Sequence, residues 1–576
     1  MRVTLFRIKI LGFLFFLFAV ILTTQLYLVQ IVKGAEYTAK ANNQYVRTQN
    51  MFERGSIFFE DKNGKRIPAG TIKTGFLLTI NPTVLKETEV VYKKLSEIIP
   101  LDESDFFKRA SYTDDTYEVI ASRVDADTAQ KITELNINGV WLEREQWRFY
   151  PGNELASNTL GFVGYNGNSL EGIYGLENYY EYVLRRQKKS LFVNFFAEAF
   201  SNLSQVVSGE ETEKEGDIIL TIEPSVQFYL ETTLKEVSEN WSANLVGGII
   251  IDPFTGEIYG MGVFPNFDLN NFSSLTDVNF GNPLVENVYE MGSIMKALTM
   301  AIGLDTGAVT AETTYNDTGF LILDGQTISN YDHKARGIIK MQAILNQSLN
   351  VGAAFVESQI GHSTFAKYLL DLGLGEETGI DLLNETYGLV ANLERKTARD
   401  IEFATASYGQ GVAVTPIGAV KALSALANGG MLIVPHLVKE IKYSPLSSNK
   451  IFYEKGKRIF KEETSAEISR MLIEVVDEAL LGGTVKSENY SIAAKTGTAQ
   501  MVSENGRGYA EDKYLHSFFG YFPATKPRFL VFLYLIDPKE VDYASQTLTT
   551  PFLDIFKFLV NYYEILPDRG MLVDGE

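Results

Sequence analysis

Residues 290–304 read EMGSIMKALTMAIGL, a stretch in which a serine, Ser293, precedes a lysine, Lys296, by three positions. If a helix begins near Gly292 and continues through this apolar run, both side chains lie on one face and meet. Two more short motifs follow in the chain, Ser348-Leu349-Asn350 and Lys495-Thr496-Gly497-Thr498. We expect the three segments to be brought together in one site.

Each motif is weak by itself. A chain of this length contains about one or two Ser-x-x-Lys matches by chance, and a second match stands at Ser447–Lys450. Read alone, Ser293 would be a helix N-cap beside a solvated lysine, and Ser348 and Asn350 would make local backbone hydrogen bonds. The order of the three motifs and their surroundings favour a shared site instead.

The pairing of Ser293 with Lys296 suggests nucleophilic chemistry. The lysine can accept the serine's proton only when it is neutral, so its pKa, about 10.4 in water, has to fall. Burial and a second nearby cation are the two effects that lower it, and Lys495 can be that cation. The N–H of Ser293 at the first turn of a helix, and the N–H of Thr498 on an edge strand, could both donate to an oxyanion.

The segment around Lys495 has the character of a substrate-binding strand. Gly497, which has no side chain, would let a substrate backbone lie alongside it. The hydroxyls of Thr496 and Thr498, next to Lys495, suit a terminal carboxylate. The four histidines show no metal-binding spacing and receive no role, so we predict neither a metal nor a cofactor.

The second half of the chain predicts an α+β domain. From Ile218 the pattern is a strand, a helix over Ser225–Glu239, and two strands over Leu245–Asp252 and Glu257–Val263. A helix-rich middle follows, and three apolar runs and a closing helix over Leu553–Tyr563 end the chain. One antiparallel sheet, flanked by helices, would then be built from both ends of this half.

The first half predicts an anchor and a separate α+β module. Ile10–Val32 carries no charge and is long enough to cross a bilayer, and Arg2, Arg7 and Lys9 before it favour a cytoplasmic N-terminus. A cleaved signal peptide, with a cleavage site near Ala39-Lys40-Ala41, is the alternative. Within Arg54–Gly70, the pair Asn63-Gly64 predicts a hairpin turn. Lys86–Ile132 mixes helical periodicity with polar residues.

Composition excludes some functions. The formal net charge is −20 and no run of Lys and Arg occurs, which argues against nucleic acid as a partner. The chain has no cysteine, so disulfides and thiolate chemistry are excluded. A chain of 576 residues is too long for one core and predicts several domains.

At these motifs the sequence resembles the class B high-molecular-weight penicillin-binding proteins, which are peptidoglycan D,D-transpeptidases. Arg54-Gly55-Ser56-Ile57 with Asp61-Lys62-Asn63-Gly64 is similar to a pedestal motif of that family, although Phe58–Glu60 lengthens the gap between its halves. Met291 stands where the family usually has proline. Six further stretches add to the resemblance: RFYPGNELASNTLGFVG, GIYGLENYYEYVL, LTIEPSVQ, IDPFTGEIYGM, SYGQGVAVTP and ALANGGMLIVPH.

The resemblance implies a full domain plan. We expect a cytoplasmic tail (1–9), a transmembrane helix (10–32), a non-catalytic pedestal of dimerisation type (33–217), a β-lactamase-like serine transpeptidase domain (218–566) and a C-terminal tail (567–576). The catalytic domain would lie outside the cytoplasmic membrane. The implied catalytic residues are Ser293, Lys296, Ser348, Asn350 and Lys495, with Thr496, Gly497 and Thr498 binding substrate.

The implied substrates are a donor stem peptide ending in D-Ala-D-Ala and an acceptor amine, with β-lactams as covalent inhibitors. A polymerase-type glycosyltransferase and other division or elongation proteins are the implied partners. The short anchor and Leu372–Gly388 favour a septal, cell-division role over an elongation role. A catalytically silent scaffold and a β-lactam sensor or hydrolase remain the alternatives from other classes, although no motif residue is lost and a hydrolase has no use for a pedestal.

Overall fold

The computed structural model describes residues 18, 22, 53–167, 169–186, 215–272, 280–395, 397–444, 447–454, 456–503 and 508–570. The predicted tail and transmembrane helix therefore lie outside the described residues, except for Phe18 and Leu22, and so does the end of the predicted C-terminal tail. In the part of the chain that is described, no helix is both long and apolar enough to cross a membrane.

The strands and helices alternate irregularly along the chain. The described strands are Ile57–Glu60, Arg66–Ile80, Glu118–Val124, Val140–Phe149, Val163–Asn166, Ser169–Gly172, Asp217–Leu220, Leu245–Ile251, Ile258–Phe264, Thr314–Asp317, Phe320–Leu323, Gln326–Ser329, Gly337–Lys340, Val438–Ser444, Ser447–Lys450, Ala493–Val502, Tyr509–Phe522 and Phe529–Ile536. The described α-helices are Thr88–Ser96, Glu103–Ala110, Ala126–Glu134, Ser157–Leu160, Gly175–Tyr179, Glu181–Leu184, Pro224–Trp241, Pro283–Glu286, Met295–Thr306, Met341–Asn346, Asn350–Ile360, His362–Asp371, Ala391–Glu394, Asp400–Ala406, Pro416–Ala427, Glu462–Glu474, Ala544–Thr547 and Thr549–Tyr562.

The chain divides into two compact units, one that includes Ile72–Arg148 and one made of Arg54–Thr71 with the residues from Phe149 onward. The smaller unit has its own apolar core, with Leu78, Leu95 and Phe106 among the buried residues. Two of its helices begin at aspartate N-caps: Asp102 accepts a hydrogen bond from the Asp105 N–H at 2.7 Å, and Asp125 accepts one from the Thr128 N–H at 2.9 Å. The helical periodicity predicted over Lys86–Ile132 is found, but the strand Glu118–Val124 interrupts it.

The central sheet of the larger unit has five strands in the order Ala493–Val502, Tyr509–Phe522, Phe529–Ile536, Leu245–Ile251 and Ile258–Phe264. All neighbours are antiparallel. The prediction of one antiparallel sheet built from both ends of this half is therefore confirmed. Helices cover both faces of this sheet, so its strands are apolar on both sides. Phe518 packs with the helix Thr549–Tyr562 on one face, and Phe519 packs on the other face in the core that contains the helix Met295–Thr306.

A second sheet of the larger unit joins distant parts of the sequence. Ile57–Glu60 pairs antiparallel with the chain after the predicted turn, where Gly64 has φ +80°, so the hairpin prediction is confirmed. Ile57–Glu60 also pairs in parallel with Asp217–Leu220, which in turn pairs with Val438–Ser444. The strand predicted from Ile218 thus lies here rather than in the five-stranded sheet.

Candidate active site

The first motif lies where the chain enters a buried helix. Gly292–Ile294 forms a single 3-10 turn, and the helix Met295–Thr306, called here the serine helix, continues from it. This agrees with the predicted start near Gly292. Gly292 has φ +63°, and a Cβ atom on it would lie 2.7 Å from the Thr498 carbonyl oxygen. The glycine is therefore needed both for the backbone conformation and for the close approach of the third motif.

The side chain of Lys296 is the centre of the site. It is buried, and its Nζ lies 2.9 Å from Ser293 Oγ, 2.6 Å from the Ser348 carbonyl oxygen and 2.7 Å from Asn350 Oδ1. A neutral amine has two N–H donors and one lone pair. The two shortest contacts use the two donors, so the lone pair remains for the Ser293 hydroxyl proton.

The electrostatics favour that neutral form. Burial is the larger cause and the like charge of Lys495 the smaller one, and together they hold the pKa of Lys296 well below its usual value. Burial also lowers the pKa of Lys495, to about 8. These are the two effects that the sequence predicted for Lys296. The lowered pKa favours Lys296 as the base, and Lys495, with a pKa of about 8, remains a cation near neutral pH.

The second motif, Ser348-Leu349-Asn350, contacts Lys296 through its backbone as well as through its side chains. Ser348 has φ +53°, which is uncommon for a residue other than glycine, and Asn350 begins the helix Asn350–Ile360. The Oγ of Ser348 lies 3.2 Å from Lys296 Nζ and 3.1 Å from Lys495 Nζ. This hydroxyl is therefore placed to pass a proton between the two amines. Leu349, between the two polar residues, is fully buried and anchors the turn.

The third motif lies on Ala493–Val502, the edge strand of the five-stranded sheet, as the sequence predicted. Lys495 is buried on this strand and also donates to the Thr496 carbonyl oxygen at 3.0 Å. Thr498 Oγ1 accepts a hydrogen bond from the Ala544 N–H at 3.1 Å. By strand alternation, Thr496 and Thr498 share the face opposite Lys495.

Gly497 has a structural role in addition to the predicted one. A Cβ atom on it would lie 2.3 Å from Ser517 Oγ and 2.6 Å from the Met291 carbonyl oxygen. The missing side chain therefore makes room for the segment that carries Ser293, because the strand and that segment are in direct contact. These contacts do not test the predicted room for a substrate backbone, which stays a prediction.

Sequence reasoning gave Glu290 no role, although it lies in the quoted stretch. Its carboxylate accepts hydrogen bonds from the Gly411 N–H at 2.9 Å and from the Tyr509 hydroxyl at 3.0 Å. Burial raises the pKa of Glu290. Glu290 therefore ties Gly411 and the start of the strand Tyr509–Phe522 to the segment that carries Ser293. The sequence signal for this role was a carboxylate three residues before Ser293. Its partners, Gly411 and Tyr509, are too far away in the chain to be predicted from sequence.

The competing match at Ser447–Lys450 is a short strand, in which residues three apart point to opposite faces. These two side chains therefore have no shared face on which to meet. Within the described ranges, no cluster of three or more His, Asp or Glu side chains is arranged to hold a metal ion.

Comparisons with known proteins agree on one family. Residues 246–557 match the penicillin binding protein transpeptidase domain, and residues 52–217 match the penicillin-binding protein dimerisation domain. Stage V sporulation protein D of Bacillus subtilis is 30% identical over 92% of this chain and 81% of its own length. A probable peptidoglycan D,D-transpeptidase FtsI of Caulobacter vibrioides is 27% identical over 84% of this chain and 76% of its own length.

Solved structures show the same fold. Penicillin binding protein 2X from Streptococcus thermophilus aligns with a TM-score of 0.70, at 19% identity, over 89% of this chain and 80% of that one. Penicillin binding protein 3 from Mycobacterium tuberculosis, complexed with aztreonam, aligns with a TM-score of 0.67, at 21% identity, over 91% and 99% of the two chains.

Proposed function

Because the chain belongs to the penicillin-binding protein transpeptidase family, we propose that it cross-links peptidoglycan stem peptides through an acyl-enzyme on Ser293. The observation that carries this assignment is the 2.9 Å contact between Ser293 Oγ and the Nζ of the buried Lys296, whose pKa lies well below its usual value. It is a D,D-transpeptidase that β-lactams acylate, because a β-lactam is a strained acyl donor that resembles D-Ala-D-Ala.

Acylation follows from the contacts around Lys296. Lys296 Nζ takes the Ser293 proton while Oγ attacks the carbonyl carbon of the penultimate D-Ala. The peptide C–N bond breaks, and the terminal D-Ala leaves as an amine that receives a proton through Ser348 Oγ. The N–H groups of Ser293 and Thr498 would donate to the oxyanion. The hydroxyls of Thr496 and Thr498 would donate to the terminal carboxylate, and the charge of Lys495, on the other face of the same edge strand, would attract it.

Deacylation reverses the proton path. The acceptor amine attacks the ester carbon on Ser293, a new amide bond forms, and the ester C–O bond breaks. The proton lost by the attacking amine returns to Ser293 Oγ by way of Lys296, which restores the free enzyme. Water in place of the amine would give hydrolysis, so the acceptor side of the cleft decides between cross-linking and simple loss of D-Ala.

We infer a septal, cell-division role, because several relatives are named FtsI. The relative named stage V sporulation protein D makes cross-linking during sporulation the second candidate, and an elongation role is the third. A glycosyltransferase of polymerase type and other division proteins are the proposed partners. Depletion of the protein in growing cells separates these roles: filaments indicate division, round cells elongation, and a defect confined to spores sporulation.

The proposed placement is a single membrane anchor at residues 10–32 with the catalytic domain outside the cytoplasmic membrane. The proposed domains are the pedestal, 33–217, and the transpeptidase domain, 218–566. The uncharged run and the preceding basic residues support the anchor. A reporter fused after residue 576 tests it: a reporter active only outside the cytoplasm is expected, and one active only inside would contradict the placement.

The activity is tested with the full chain in detergent, a donor stem peptide ending in D-Ala-D-Ala and an acceptor amine. We expect release of D-Ala together with a cross-linked product of the summed mass less one D-Ala. A Ser293→Ala variant should give neither product. Release of D-Ala without cross-links would instead favour a hydrolase, and the absence of both from the wild-type protein would favour a silent scaffold.

A further inference from the structure

We propose that Asp317 and Asn330 are positioning residues that hold the second motif, Ser348-Leu349-Asn350, against Lys296. This inference rests on the proposed function, because it concerns the same acylation step. Neither residue belongs to a motif, and both lie outside the reacting groups. Each is 1% exposed, so the pair is a buried polar contact rather than a surface one.

The pair is directly connected to the second motif. Asn330 Nδ2 donates to both carboxylate oxygens of Asp317, at 3.0 Å each, and Asn330 Oδ1 accepts from the Val351 N–H at 3.2 Å. Val351 follows Asn350 directly. Asp317 orients the Asn330 amide so that its oxygen, and not its nitrogen, faces this N–H. The carboxylate also accepts from the Arg336 N–H at 3.0 Å, which fixes its own position.

The segment around Asn330 supports the motif at two further points. The Ser329 carbonyl oxygen accepts a hydrogen bond from Asn350 Nδ2 at 2.9 Å. Arg336 Nε donates to Gln347 Oε1 at 3.0 Å, on the other side of the motif. The chain around Asn330 therefore contacts residues immediately before, within and after the motif.

This support is needed because Ser348 has an unfavourable backbone. A residue other than glycine with φ near +53° is strained, and it keeps this conformation only where the surroundings fix it. The strained turn directs the Ser348 carbonyl and the Asn350 amide oxygen at the two N–H groups of Lys296. If the turn relaxed, Lys296 would lose the partners that aim its lone pair at Ser293.

The test exchanges the two side chains. Asn330→Asp alone puts two carboxyl groups against each other in a buried site, which displaces the motif. A misplacement of about 1 Å can cost on the order of 100-fold in rate, so acylation of Ser293 by a penicillin should slow by about 10- to 100-fold. The double variant Asp317→Asn, Asn330→Asp restores one donor facing one acceptor, and it should recover most of the rate.

Asp381→Asn is the matched control. Asp381 is also buried and also accepts backbone hydrogen bonds, from Leu437 at 2.7 Å and Val438 at 2.8 Å, but these residues lie outside the three motifs. It should lower the thermal unfolding midpoint without changing the acylation rate constant of the folded protein. If Asn330→Asp yields no folded protein, Asp317→Asn, which adds no charge, is measured instead, with a smaller slowing expected.

The outcomes separate this inference from the proposed function. Rate constants are measured by stopped flow at saturating penicillin, and the folded fraction is measured by circular dichroism. An Asn330→Asp protein that acylates at the wild-type rate, or a double variant as slow as the single one, would overturn the positioning role. A wild-type protein that forms no adduct at Ser293 would instead overturn the proposed function.

Discussion

The side-chain nitrogen of Lys495 lies 3.1 Å from Ser348 Oγ, and the same oxygen lies 3.2 Å from the nitrogen of Lys296. One hydroxyl thus contacts two lysines whose pKa values are both lowered by burial, and the like charge of Lys495 lowers that of Lys296 further. The Ser348 carbonyl oxygen and Asn350 Oδ1 accept the two N–H groups of a neutral Lys296. Lys495 contacts the Thr496 carbonyl oxygen and the Ser348 hydroxyl, which leaves one N–H of its ammonium group for a carboxylate. The predictions on catalysis follow from this difference.

The two lysines should respond differently to replacement by arginine. Guanidinium does not lose a proton in proteins, so Lys296→Arg keeps a charge but removes the base. Acylation should slow by at least the range that general-base catalysis supplies, about 100- to 10,000-fold. Lys495→Arg keeps the cation that binds carboxylate and should slow acylation less. Stopped-flow acylation by a penicillin measures both, and an equal loss, or a larger one at Lys495, would show that the roles are reversed.

The pH dependence of acylation should reflect Lys495. Its pKa is lowered to about 8 by burial, so the ammonium is lost as the pH rises through that value. The carboxylate of the penicillin then loses its partner, and the second-order acylation rate constant should fall above about pH 8. In Lys495→Arg this decline should disappear, because the guanidinium stays charged. A rate constant that rises through the same range would assign the titration to Lys296 instead.

The close approach of Gly292 to the Thr498 carbonyl can be tested by comparison with Gly307, a glycine that also has positive φ. Gly292→Ala meets the Thr498 carbonyl at 2.7 Å, and Gly307→Ala, at the end of the serine helix, has no atom within 4 Å of the new Cβ. Both have positive φ, which costs alanine about 1–2 kcal/mol. Both should lower the unfolding midpoint, but only Gly292→Ala should slow acylation strongly. Equal acylation rates in the two variants would contradict the geometry described for the site.

His516, which pairs across the sheet with Thr498, should make stability depend on pH. Burial lowers its pKa to about 4, below the value of about 6.5 in the unfolded chain. Between these values the unfolded chain binds the extra proton, so stability is lost as the pH falls from about 6.5 towards 4. The loss is on the order of 3 kcal/mol.

Urea unfolding at pH 7 and pH 4.5 measures this effect. His516→Gln should reduce the difference in unfolding free energy between the two pH values. His333→Asn, at an exposed position, should leave that difference unchanged. If His516→Gln keeps the full difference, another group carries the pH dependence.

Much of the site could be predicted because its chemistry is local in sequence. Ser293, on the 3-10 turn, lies three residues before Lys296, on the helix that continues from it, so helical spacing alone places them together. The strand that carries Lys495 was predictable because its motif lies within a short apolar run, which is the pattern of a strand. The chemistry of amines required a lowered pKa for Lys296, because only a neutral amine accepts a proton. Burial of the side chain lowers that pKa in the structure.

The remainder depends on contacts between distant residues. Asn330 lies 21 residues before Val351, and Glu290 lies 121 residues before Gly411. No local period links such pairs. The contact between Gly497 and the segment that carries Ser293 was not predicted either, because sequence does not show which side of an edge strand meets that segment. The strand at Asp217–Leu220 joined another sheet because its pairing partners at Ile57–Glu60 are far away in the chain.

The most direct test is to locate the covalent adduct. The full chain is labelled with a fluorescent penicillin, digested and analysed by mass spectrometry. We expect one acylated peptide, modified at Ser293, and no labelling of a Ser293→Ala variant whose unfolding midpoint is unchanged. An adduct on Ser447, or labelling of Ser293→Ala at the wild-type level, would contradict it.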